Sequence, residues 1–111
     1  MNQVTGKIIQ VAEARNFTTK GGDEGWNQKI ILDCARMHNG KVYPNYVELE
    51  YTEKIDQACL QEVRVGNKVN CCFDVVGFLR EDEDNGNRWV AQRLKCFKIT
   101  AASAVPVEAS K

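Results

Sequence analysis

The chain has 111 residues, 43% hydrophobic and 27% charged, with 15 basic against 15 acidic side chains. That length suits one domain with a single core and needs no disulfide or metal staple. A net charge of zero weighs against a protein that coats nucleic acid by bulk charge, because backbone binders neutralise phosphates with Lys and Arg; a local basic groove stays open to it.

No stretch approaches the ~20 apolar residues of a membrane span. The opening MNQVTGK lacks the basic start and apolar run of a signal peptide. A cytoplasmic protein without membrane contact is expected. Cys34, Cys59, Cys71, Cys72 and Cys96 contain no C-x-x-C. Adjacent residues on a strand point to opposite faces, so Cys71 and Cys72 cannot chelate one ion together. The five are read as reduced, small apolar residues.

Residues 3–16 have strand character, and the doublet Ile8–Ile9 shifts the alternation by one, as a β-bulge does. Residues 17–25 hold three glycines and no period and read as a flexible loop. Along 26–36, Trp26, Gln28, Ile30, Leu32 and Cys34 share one face of a half-buried strand. Asn39–Gly40 is a hairpin turn signal. In 41–52, Val47, Leu49 and Tyr51 oppose Tyr46, Glu48 and Glu50, and Pro44 belongs at an edge or bulge.

Residues 53–62 change to helical spacing through Ile55 and Cys59, with Thr52 as N-cap. Residues 68–80 return to strand with Val69, Cys71, Phe73 and Val75 inward, and Gly77 marks a kink or bulge. Residues 81–87 form an acidic hairpin tip around Asn85–Gly86, and residues 88–100 form the last strand. The pattern predicts an OB-fold domain over 1–100 and a disordered C-terminal tail over 101–111. Five strands with one short helix between the third and fourth are the element order of the all-β, five-stranded OB-fold Greek-key barrel.

The segments VTGKIIQV (Gly6–Ile9 within it), Gly22–Trp26, Ile55–Gln57, Val63–Val69 and Arg88–Trp89 resemble the OB-fold single-stranded DNA-binding protein superfamily, and within it a bacterial SSB-like family. The resemblance spans about residues 3–100 and fits the fold more specifically than the function. It implies nucleic-acid binding without sequence preference and no catalytic residues. The acidic, apolar-tipped tail frequent in such proteins is not matched by residues 101–111, where Glu108 is the only acid.

Single strands are held by basic grooves and by aromatic faces on which bases stack. The strongest combination lies in the last strand, where Trp89, Arg93, Lys95 and Phe97 oppose Val90, Leu94 and Cys96. A subunit interface is the alternative reading of that stripe. Lys20 lies in the 17–25 loop with Trp26 at its base, and Trp26 serves either as a stacking platform or as a cap on the core. On the face opposite Ile30 and Leu49 stand Lys29 and Tyr46, beside Glu48 and Glu50; a Lys29–Glu cross-strand pair is the plain alternative. Lys7 and Arg88 complete the cations assigned to phosphates. Glu81, Asp82, Glu83 and Asp84 argue against binding at the tip and suit a basic protein partner there.

His38, the only histidine, sits beside a turn with no nucleophile placed near it, so no enzyme activity is expected. No metal or cofactor is expected either, the acidic run lacking calcium-loop spacing. The leading reading is a sequence-tolerant single-stranded DNA binder, with RNA the second ligand and a homo-oligomer as its state. The alternative is an OB-fold protein–protein interaction or assembly module without nucleic-acid binding.

Overall fold

The computed structural model describes residues 2–102. The elements run β1 (Asn2–Val11), β2 (Arg15–Thr18), β3 (Glu24–Asp33), β4 (Arg36–His38), β5 (Lys41–Tyr43), β6 (Tyr46–Thr52), α1 (Gln57–Leu60), β7 (Lys68–Glu81) and β8 (Arg88–Ala101). Five of these strands close a ring of pairings, β1–β3–β6–β8–β7–β1. Every ladder is antiparallel except β6–β8, which consists of the single parallel pair Glu50↔Lys95. β2 extends the sheet outside β3, and β4–β5 make a separate two-stranded sheet. Among the described residues, no helix is long and apolar enough to cross a membrane.

The ring closes because β1 bends. Its first half pairs with β7 through Asn2–Lys7, and its second half pairs with β3 through Lys7–Val11. The turn between them is a bulge at Ile9, since Ile8 faces Leu32 while Gln10 faces Ile31. The Ile8–Ile9 doublet marked that position. Gly6 lets the two strands meet there: a Cβ on it would come 2.6 Å from Cys34 Sγ and 2.9 Å from the Asp33 carbonyl oxygen.

Inside the ring lie Ile8, Ile30, Leu32, Leu49, Tyr51, Val69 and Cys71, with Ile55 and Cys59 packed across the α1 end. Ile30 and Leu32 are 0% exposed, and burying each contributes about 1.5–3 kcal/mol. The inward alternation of β3, β6 and the start of β7 is the one the sequence predicts. Cys59, Cys71 and Cys96 are core residues. A hydrogen bond with Cys96, and then burial, push the Cys71 thiol up.

Several expectations need correction. The segment 17–25 is a hairpin in which Phe17 pairs with Gly25 and Asn16 with Trp26. The helix is shorter than 53–62, and its N-cap is Asp56, whose Oδ1 accepts from the Ala58 N–H at 2.9 Å. Thr52 instead accepts from the Lys54 N–H in the preceding turn. Pro44 separates β5 from β6, so the predicted 41–52 strand is two strands. Gly77 pairs regularly with Gln92, and the irregularity lies at Phe97, because Cys72 faces Lys98 while Phe73 faces Cys96. β8 reaches Ala101, one residue past the expected domain edge, and the Ala102 N–H still donates to the Lys68 carbonyl at 2.9 Å; residues 103–111 of the expected tail lie outside the described residues.

Val75, expected inward, is 49% exposed, and Val90 is 56% exposed. Both lie where the β7–β8 hairpin has left the barrel and overhangs it. The radius of gyration, 16.9 Å, exceeds the ~13 Å of a compact domain of about 100 residues. The molecule is correspondingly elongated, 51 × 38 × 25 Å along its principal axes.

Candidate nucleic-acid interface

Cross-strand partners in a sheet share a face. On one face of the β7–β8 hairpin stand the pairs Arg80↔Trp89, Phe78↔Ala91, Val76↔Arg93 and Asp74↔Lys95. On the other stand Glu81↔Arg88, Leu79↔Val90, Gly77↔Gln92 and Val75↔Leu94. The first face continues onto the barrel wall, because Lys95 neighbours Glu50 on β6 and Glu50 neighbours Lys29 on β3. The outer wall of β3, β6, β8 and β7 therefore carries Lys29, Glu50, Lys95 and Asp74 in one transverse row, with Arg93, Phe78, Arg80 and Trp89 farther along the hairpin.

Phe78 is the centre of the hairpin face. The guanidinium carbons of Arg80 and Arg93 each lie 6.0 Å from its ring centroid, at the limit of a cation–π contact. Phe78 is 45% and Trp89 53% exposed, so part of each ring is open to solvent. Neither Phe78 nor Arg80 was picked out from the sequence. The alternation that puts Cys71 and Phe73 inward also puts Phe78 and Arg80 outward, so the signal was present.

Below this face a cleft of about 260 Å³ opens along the β6–β8 seam, lined by Lys29, Glu48, Leu49, Glu50, Gln92, Arg93 and Leu94. Glu50 is 5% exposed, although its phase on β6 points outward. Its Oε1 lies 3.6 Å from Arg93 Nε, and its Oε2 accepts from Asn27 Nδ2 at 3.5 Å. Burial follows from the ring closure, which lays β8 across β6 beside this residue. Lys29 stands opposite Glu50 in register, but among the described residues the ion pair of Glu50 is with Arg93.

The other candidates are dispersed. Trp26 is partly buried against the core, edge-on to Tyr51 with ring centroids 6.1 Å apart. It acts as a core cap, and its outer edge joins Phe17 in a groove of about 640 Å³ bordered by Glu24 and Glu53. Lys20 occupies the exposed turn of that hairpin. Tyr46 is 61% exposed at the start of β6, opposite Asp33. Lys7 pairs with Asp33 on one side and Lys68 on the other, on the wall carried by β1. Arg88 faces away from Trp89 and pairs with Glu81 at 3.5 Å. Phe97, the bulge residue, is 46% exposed and lines a groove with Ala58, Cys59 and Ile99. The structure thus places Lys29, Trp89, Arg93 and Lys95 along one continuous face, and adds Phe78 and Arg80 to it.

No family model matches the chain, and no curated protein matches it. Two solved structures of the protein priB from Ralstonia solanacearum are similar to it. One has a TM-score of 0.48 at 16% identity, over 91% of this chain and 96% of that one. The other has a TM-score of 0.44 at 15% identity, over 92% and 96%.

Proposed function

We propose that this protein binds single-stranded DNA without sequence preference, on an OB-type Greek-key barrel, and performs no catalysis. The ring order supports the barrel assignment: numbered along the chain, its long strands close as first, second, third, fifth and fourth. In OB barrels the wall formed by the second and third strands, with the loop between the fourth and fifth, takes oligonucleotides. Here those elements are β3, β6 and the β7–β8 hairpin.

The observation that carries the reading is Phe78 held between Arg80 and Arg93, with Trp89 across from Arg80. Two half-exposed rings offer stacking positions, each worth ~1–3 kcal/mol. The guanidiniums beside Phe78 meet phosphates and also stack. Glu50 and Asp74 offset Arg93 and Lys95, so binding rests on stacking more than on charge, in keeping with a chain of zero net charge. Duplex bases, paired and stacked on each other, cannot use such rings, so single strands are preferred.

The test is a fluorescence titration with an oligo-dT of ~30 nucleotides at low and at ~200 mM salt. Binding with quenched Trp emission supports the reading, and no binding at low salt overturns it. A purely protein-assembling role is favoured by a different observation: Val75, Leu79 and Val90, on the opposite hairpin face, are 49%, 66% and 56% exposed. A null titration together with a stable complex blocked by Leu79→Ser would establish that role instead.

A further inference from the structure

The molecule has two arms of opposite charge. The first is the β4–β5 sheet, which hydrogen-bonds to no strand of the barrel sheet. Its cross-strand pairs are Arg36↔Tyr43, Met37↔Val42 and His38↔Lys41. One face therefore carries Arg36, His38, Lys41 and Tyr43, and the other Met37 and Val42, 73% and 62% exposed. No acidic residue occurs between Asp33 and Glu48, and no salt bridge among the described residues engages Arg36 or Lys41. The turn is set by Asn39 at φ 51° and Gly40 at φ 78°, a geometry suited to two-residue hairpins.

The second arm is the tip of the β7–β8 hairpin. Its loop is built before any partner arrives. The Asp82 N–H donates to the Asn87 carbonyl at 2.8 Å, and the Gly86 N–H to the Asp82 carbonyl at 2.8 Å. Asp82 Oδ1 accepts from the Asp84 N–H at 2.8 Å, and Glu81 pairs with Arg88. Glu83 and Asp84 are exposed, and among the described residues no cation pairs with them.

We infer that the unpartnered basic face of β4–β5 docks a second copy of this chain through that copy's hairpin tip, Glu83 and Asp84 meeting Arg36 and Lys41. The occupant follows from charge complementarity between two preformed elements of the same molecule. Made once per copy, the contact is head-to-tail and grows into a ring or an open chain; made twice between the same two copies, it closes a symmetric pair. Exposed ion pairs are individually weak, so the association is weak and salt-sensitive. It does not depend on the proposed DNA binding.

Sedimentation of the full chain at rising concentration tests it, at low and at ~500 mM salt. The average mass should rise with concentration only at low salt. Arg36→Gln/Lys41→Gln and Glu83→Gln/Asp84→Asn should each weaken association by roughly 3- to 30-fold. Mixed in equal amounts, the two variants should recover contact as pairs that do not grow, since only one tip and one arm remain competent. A wild-type mass independent of concentration at low salt overturns the inference. So does self-association unchanged in both variants, or oligo-dT affinity lost in Arg36→Gln/Lys41→Gln while self-association persists. That last result would assign the arm to nucleic acid.

Discussion

The Nε of Arg93 lies 3.6 Å from Oε1 of Glu50, tying β8 to β6 beside the only backbone pair those strands share. Arg93 is half exposed and the Glu50 side chain is buried. The pair therefore closes the barrel as well as lining the candidate interface. Removing Arg93 strands a buried carboxylate, and removing the carboxylate does not strand Arg93, which water can reach. Arg93→Ala should destabilise the fold by about 1–2 kcal/mol, below the range for a fully buried pair because Arg93 is half solvated. Glu50→Gln should cost less. Urea unfolding of the two variants checks the order, and a larger loss in Glu50→Gln contradicts it.

Because of that double role, Arg93 is a poor probe of binding. Trp89→Ala, Phe78→Ala and Arg80→Ala change exposed side chains on the overhang. Each ring removal should weaken oligo-dT binding by about 1–3 kcal/mol, roughly 5- to 150-fold. Thermal unfolding should stay close to wild type, since surface changes rarely exceed ~0.5 kcal/mol. Titration and melting of the same samples separate the two effects.

Gly6→Ala should destabilise by about 1–3 kcal/mol through overpacking. The added methyl would meet Cys34 Sγ and the Asp33 carbonyl oxygen. Pairing it with Cys34→Ala should restore only part of the loss, because the second obstacle is backbone. Melting curves of the single and double variants decide the matter.

Tyr51 is 2% exposed, and its hydroxyl donates to Gln28 Oε1. Burial, with smaller effects of Cys96 and Cys71, pushes its pKa up from 10.0 to about 12. A folded-state pKa raised above the unfolded one favours the folded state fully below pH ~10, and that advantage fades as pH climbs from there toward 12, because the unfolded chain ionises first. Stability should fall by about 2 kcal/mol across that window. Tyr51→Phe should be less stable at pH 8 but show a flatter decline, measurable by urea unfolding from pH 8 to 11.

Much of the barrel is legible in the sequence because burial there follows strict alternation, as in Ile30 and Leu32 or Val69 and Cys71. Three features are not. β2 is a four-residue strand with no buried residue, so no inward residue marks its period. The Phe97 bulge is hidden because Cys96 and Phe97 are both apolar, and a phase slip between two apolar residues leaves no trace. The overhang has no sequence mark either: Val75, Leu79 and Val90 alternate as core residues would, though the barrel has ended beneath them. At the candidate interface, the Trp89–Arg93–Lys95 stripe was readable on one strand. Phe78 and Arg80 needed the pairing to join it, and the burial of Glu50 arises only from ring closure.

The pairing from Phe73↔Cys96 to Glu81↔Arg88 contains no slip. The reach of the hairpin is therefore a dimension separate from the barrel. Removing two residues from each strand would draw the tip in by ~7 Å and return every remaining side chain to its own side. Removing one would turn the aromatic and aliphatic surfaces inside out. Length variants of this protein should accordingly be tolerated in even steps and rejected in odd ones, with the core unaware of the difference.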